Sequence, residues 1–186
     1  TNPIMERCNF LSITASNLDE FFMVRVGSLR VQEENAFNAC DNKTKMTASD
    51  QIAAILLRVK ELEIKKAKIY EQLMGELEVQ GIRLINFNKL SDEEGKILEQ
   101  YFDTCISPFL SPMIVGKQQP FPFLANKELN AVVLLSNKNG KNKMGIVPCT
   151  NTIFKRLIEI PSRPGTFMLC EELILHFATK LFTRYS

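Results

Sequence analysis

Between Ile52 and Leu77 the apolar residues recur at helical spacing. Ile52, Ile55, Leu56, Val59 and Leu62 are followed by Ile69, Leu73 and Leu77. This period stacks them on one face of an α-helix, whereas a strand needs a period of two. The pattern holds for about eight turns. Thr47 or Ser49 is placed to cap its start, and Gly81 is placed to end it. One amphipathic helix of this length needs a partner to cover its apolar stripe. A second long helix precedes it across a polar connection at 38–45 (NACDNKTK), so an antiparallel hairpin is predicted.

Upstream, Asn2 and Pro3 suit the start of a short helix running to Thr14. Asn17 and Glu20 have capping-box spacing, with Asn in place of Ser or Thr, and predict a second helix from Asn17 into the mid-thirties. Wound at about 100° per residue, that helix carries Leu18, Phe21, Phe22 and Leu29 on one face. Arg25 falls in the middle of the same face. A cation in an apolar stripe is costly unless it is paired. The expected partner is a carboxylate: Glu61 or Glu63 on the antiparallel third helix, or an acid in the domain that follows Gly81.

After Gly81 the texture changes. Residues 82–85 (IRLI) read as a short extended piece. Ser91 to Glu94 is a second capping box, opening a helix through Ile97, Leu98, Tyr101, Phe102, Cys105 and Ile106. Pro108, Pro112, Pro120 and Pro122 then forbid regular helix. Ala131–Leu135 and Met144–Val147 read as strands around a turn at 137–141. A short helix is predicted over Thr152–Leu157, a third strand over Phe167–Leu169, and a closing helix over Glu171–Phe182. The predicted class is therefore α+β: an N-terminal antiparallel helical hairpin or bundle over 1–82, then a small, incomplete α+β domain over 83–186.

Composition narrows the chemistry. The chain of 186 residues is 45% hydrophobic with a net charge of +2, which argues against a dedicated nucleic-acid binder. Cys8, Cys40, Cys105, Cys149 and Cys170 lack CxxC spacing, so neither zinc nor a disulfide framework is signalled. Reduced thiols and a cytoplasmic setting follow. No run of about 18 apolar residues is present. The single histidine, His176, lies between Leu175 and Phe177 and reads as a half-buried or surface helical residue. Phosphate-loop and nucleophile-elbow motifs are absent, and no catalytic or metal-ligating residues are assigned. Asn17 combines two roles: its side-chain oxygen can accept from a helix backbone while its amide donates to a ligand, and a helix N-terminus favours phosphate.

Taken together, residues 2–7 (NPIMER), Phe10-Leu11 and residues 16–26 (SNLDEFFMVRV) resemble the N-terminal region of bacterial polyphosphate kinases of the phosphohistidine type. A second block, residues 107–112 (SPFLSP) leading to 120–126 (PFPFLAN), is similar to the family's proline-phenylalanine element. The resemblance extends over nearly the whole chain. It implies reversible transfer of the terminal phosphate of ATP to inorganic polyphosphate, through a histidine in later domains. Asn17, directly before Leu18-Asp19-Glu20-Phe21, matches the family's ATP-contacting asparagine. The family's magnesium ligands and catalytic residues would lie beyond Ser186, so this segment alone is expected to be inactive.

His176 precedes Phe177-Ala178 and does not match the phosphohistidine setting. A homo-oligomer is implied, with no nucleic-acid partner and with peripheral membrane association left open. Two departures stand out. The family's lead into the first helix is absent, so that helix is expected to be missing, and Gly116-Lys117-Gln118-Gln119 replaces a common Asp-Pro turn. The rival reading is a non-enzymatic helical and α+β interaction module binding protein or RNA.

Overall fold

The computed structural model describes residues 2–35, 40–116, 121–136, 142–149 and 153–183. The chain forms two compact units, Thr1–Gln80 and Gly81–Ser186.

The first unit is a helical hairpin. Helix α1 spans Ile4–Phe21, beginning one residue after Pro3, and passes without a break into a wide turn at Phe22–Val26 and then α2, Gly27–Glu34. The backbone at Phe22 and Gly27 is helical, so residues 4–34 form one continuous rod. The predicted start at Asn17 is thereby overturned. Thr14 bonds its hydroxyl back to the Phe10 carbonyl inside the helix, and no chain break separates it from Asn17. Asn17 lies in the helix interior, where the backbone hydrogen-bond ladder already occupies the amides that a cap would serve.

The wide turn also corrects the placement of Arg25. The Gly27 N–H reaches back five residues to the Phe22 carbonyl, so this turn takes in one residue more than an α turn. Leu11, Ala15, Leu18 and Phe22 are half-buried, and Val26 and Leu29 continue their row as fully buried residues. With a regular pitch Arg25 would approach that row. The extra residue gives the slot to Val26 and leaves Arg25 exposed. Widening one turn avoids burial of an uncompensated cation, which costs several kcal/mol by rough estimate.

Helix α3, Ala48–Val79, returns antiparallel over 32 residues. Thr47 opens it with a full capping box: its hydroxyl accepts from the Asp50 N–H, and the Asp50 carboxylate accepts from the Thr47 N–H. Gly81 follows the helix at φ 85°, a left-handed conformation that glycine adopts without strain. The antiparallel register is visible in two pairs. Arg7 meets Glu76 at 2.5 Å, and Arg25 meets Gln51 at 3.1 Å. Leu29, Ala48 and Ile52 form a small core beside the connection. Of that connection, residues 38 and 39 lie outside the described residues. Asp41 organises the rest by accepting from the Lys43 and Thr44 amides.

The second unit is α+β. Two three-stranded sheets form, with strand orders β1-β6-β5 and β2-β4-β3. Strands β1 (Arg83–Leu84) and β6 (Thr166–Leu169) are parallel, and β5 (Leu157–Glu159) joins β6 antiparallel. In the other sheet β4 (Asn142–Pro148) lies between β2 (Met113–Val115) and β3 (Asn130–Ser136), all antiparallel. Helix α4, Asp92–Tyr101, starts at the predicted Ser91–Glu94 capping box and continues through a second wide turn, Phe102–Ile106. Phe102, Ile106, Met168, Leu173 and Ile174 fill one core with the inner residues of both sheets.

Two predicted helices change. Residues 153–156 bend and lead into β5, because Leu157 to Glu159 pair with Leu169 to Phe167. The closing helix divides into α5 (Cys170–His176) and α6 (Ala178–Leu181). Phe177 breaks it, with its ring packed against Phe87 and Phe102. The turn at 137–141, residues 117–119 and Thr152 lie outside the described residues.

Candidate functional site

Asn17 stands on the outer side of the rod, exposed, and its side chain makes no hydrogen bond to the described residues. With no cap to serve, both the amide oxygen and the amide NH2 remain available to a ligand. Phe21, four residues on, is 39% exposed and meets Phe22 edge-on at 6.3 Å. Arg25 follows after four more residues. Its Nη2 donates to Gln51 Oε1, and Gln51 is itself braced by donating Nε2 to the Met46 carbonyl at 3.3 Å.

The expected carboxylate partners of Arg25 are engaged elsewhere. Glu61 pairs with Arg58 at 2.5 Å, and Glu63 pairs with Lys66 at 2.6 Å. Arg25 makes no ion pair within 4 Å among the described residues. It does act at longer range on Asp41. That carboxyl is held below the usual range first by the Thr44 amide, then by the Thr44 hydroxyl and the Lys43 amide, with a smaller contribution from Arg25. Gln51 was not legible as a partner, since nothing in its sequence setting separates it from any other polar helix residue.

Elsewhere in the hairpin an apolar groove of about 440 Å³ runs between α1 and α3, lined in part by Cys8, Leu11, Ala15, Tyr70, Leu73 and Met74. It offers packing surface but few polar groups with which to orient a nucleotide. At its end Arg7 grips Glu76 through both guanidinium NH2 groups, and this contact holds the Glu76 carboxyl low.

In the second unit the ionisable groups are committed to structure. Glu94, 5% exposed, accepts from Ser162 Oγ, from the Ser91 N–H at 2.8 Å and from Arg163 Nη2 at 2.6 Å. The Ser162 and Ser91 bonds lead in pulling its carboxyl down to about 2. This buried carboxylate ties the turn before β6 to the start of α4 and has little capacity left for a ligand. Lys180 bridges Glu99 and Asp103, each at 2.7 Å, which raises its pKa. His176 is exposed and stacked on Phe87, with ring centroids 3.4 Å apart and planes 13° apart. Among the described residues, no three His, Cys, Asp or Glu side chains gather as a metal-binding group. No described helix is long and apolar enough to cross a membrane.

Two family models match consecutive parts of the chain. One, described as the polyphosphate kinase N-terminal domain, matches residues 1–85, and one described as the polyphosphate kinase middle domain matches residues 93–186. Curated relatives named polyphosphate kinase include one from Bacillus anthracis at 38% identity and one from Halalkalibacterium halodurans at 39%. Each alignment takes in 100% of this chain, which spans only 27% of either relative. The crystal structure of polyphosphate kinase from Porphyromonas gingivalis superimposes with a TM-score of 0.76 at 22% identity, over 98% of this chain and 29% of that one. At that identity the superposition shows a shared fold.

Proposed function

The chain belongs to the polyphosphate kinase family, and we propose that residues 1–186 are the N-terminal part of an enzyme that moves the terminal phosphate of ATP reversibly onto inorganic polyphosphate. The observation that carries this reading is the consecutive match of two domain models of the same family over 1–85 and 93–186. The share of the work given to this segment is nucleotide contact and subunit assembly. Asn17 is the nucleotide-contacting residue. Its exposed carboxamide suits a base edge or a ribose hydroxyl, since it offers an acceptor and two donors together.

The phosphohistidine and the magnesium ligands belong to the part of the enzyme beyond Ser186. His176 is a poor candidate for phosphate transfer, because one face of its ring lies flat on Phe87. The exposed apolar residues of the hairpin, Phe10, Leu57 and Ile64 among them, favour assembly into a homo-oligomer. The enzyme works in the cytoplasm, with peripheral membrane association compatible with the absence of a spanning helix among the described residues.

The test uses the full-length protein and ATP labelled in its terminal phosphate. Labelled polyphosphate and an acid-labile phosphorylated histidine are expected from the full-length protein, and neither from residues 1–186. A full-length protein that makes neither product, or turnover by the repurified segment, overturns the reading.

A further inference from the structure

The second unit leaves one strand open on its outer face. In β3, Ala131, Val133 and Leu135 turn inward to the core, where Leu173 and Ile174 of α5 and Phe182 cover them. Val132 and Leu134 turn outward and are 55% and 73% exposed. Their partners on β4 are Ile146 and Met144, and β2 sets Met113 and Val115 beside those two. Side chains alternate across a strand, so these six residues share the outer face of the sheet. All six are apolar. The polar residues of that face, Asn130, Ser136 and Asn142, stand at its ends. An antiparallel sheet with one face in water alternates apolar and polar residues instead.

The edge of the same strand is open as well. Cys149 donates its N–H to the Leu129 carbonyl at 2.8 Å, which extends the β3–β4 register by one pair. Bonded pairs alternate along an antiparallel ladder, so Ala131, Val133 and Leu135 bond to β4. The N–H and C=O groups of Val132 and Leu134 point the other way. Pro148, which has no N–H to give, sits opposite Asn130, where the ladder needs none. β3 is the end strand of its sheet, and no described strand takes up that edge. Natural sheets protect a free edge with charge, proline or a bulge. Residues 131–135 (AVVLL) carry no charge and no proline, and their register runs without a bulge. At the start of the strand Asn130 Oδ1 is buried without a hydrogen-bond partner among the described residues.

Resting on the reading of this chain as the N-terminal part of a longer enzyme, we propose that polypeptide following Ser186 docks here. One of its strands pairs with the free edge of β3, and an apolar element of the same segment lies over the outer face. The relatives have ample length for it, since this chain spans only 27% of them. A second copy of the chain fits less well. Pairing β3 with β3 across a two-fold axis closes both edges but doubles the uncovered apolar face. Stacking the two faces leaves both edges open.

The experiment is hydrogen exchange of the full-length protein, resolved to single amides by mass spectrometry. It is repeated over about a hundredfold range of protein concentration, wide enough to shift a self-association equilibrium. The Val132 and Leu134 amides are expected to exchange at least about a hundredfold more slowly than an unstructured chain, at every concentration. Exchange of these two amides at the unstructured rate overturns the proposal. So does protection that is lost on dilution, which makes the partner a second copy. The outer face is tested with Leu134→Cys in the full-length protein. Its thiol is expected to be alkylated at least about tenfold more slowly than after unfolding. Alkylation at the unfolded rate means that nothing covers the face, and overturns the proposal. Polyphosphate synthesis is assayed on the same preparation. An active protein whose Val132 and Leu134 amides exchange freely loses only the docking. A protein that makes no polyphosphate overturns the underlying reading, and this inference with it.

Discussion

Gly145 is a sensitive point of the second unit. It lies in the central strand β4, opposite Val133 on one side and Ile114 on the other. A Cβ placed on Gly145 would come within 2.8 Å of Phe182 Cζ and of Val133 Cγ2, and 3.0 Å of Leu135 Cδ1. Carbon atoms in good contact stand about 3.5–4.0 Å apart, so three side chains must retreat together. Val133 is half-buried and can yield towards solvent. Phe182 and Leu135 are 4% and 5% exposed and cannot. Gly145→Ala is therefore an overpacking substitution with an expected cost of about 1–3 kcal/mol. For a unit of this size that corresponds to a fall in thermal midpoint of about 5–15 °C. The assay is thermal unfolding followed by circular dichroism, with Gly145→Ala, Phe182→Leu and the double variant measured side by side. Shortening Phe182 removes one of the clashes, so the double variant should be more stable than the sum of the single effects. A Gly145→Ala midpoint equal to wild type, or strict additivity in the cycle, would refute this packing argument.

The Glu94 anchor should show itself in acid. Its folded pKa, about 2, lies below the ordinary 4.5, so its stabilisation is complete above about pH 4.5 and is lost as the pH falls towards 2. Glu94→Gln should lower the thermal midpoint at pH 7, and the gap from wild type should close across that window; a gap that persists at pH 2 counts against the charge. The thiols should divide by burial. Cys40 and Cys105 are exposed, whereas burial pushes Cys170 up to about 12, with Cys149 adding to the effect, and burial raises Cys149 as well. Mass spectrometry after brief alkylation should find label at Cys40 and Cys105, and at Cys170 only after unfolding.

Much of the fold was readable from local chemistry. The apolar period from Ile52 to Leu77 gave α3, and the capping residues Thr47 and Ser91 start helices as expected. The α+β class of the second half followed from its prolines and two longer strands. Other features depend on distant partners. Strand β1 falls within the extended piece expected at 82–85, but β2 and β5 are three residues long, too short to display a period of two, and exist because β4 and β6 pair with them. Asn17 and Glu20 have the spacing of a cap, but a capping pattern inside an already helical run has no free amides to serve. The position of Arg25 could not be read because a regular 100° step was assumed, and no residue type announces a widened turn. The matched motif singled out Asn17, while its place inside a continuous helix is visible only in the structure.

The central claim is that Asn17 serves a nucleotide and not the helix. The decisive measurement pairs the ATP affinity of full-length Asn17→Ala with its thermal midpoint. Inside a helix Ala is the better residue, by up to about 0.7 kcal/mol, so the midpoint should hold or rise. ATP binding should meanwhile weaken by about tenfold, as for a lost hydrogen-bonding carboxamide. A lowered midpoint with ATP affinity intact would make Asn17 a helix cap after all and would contradict the account.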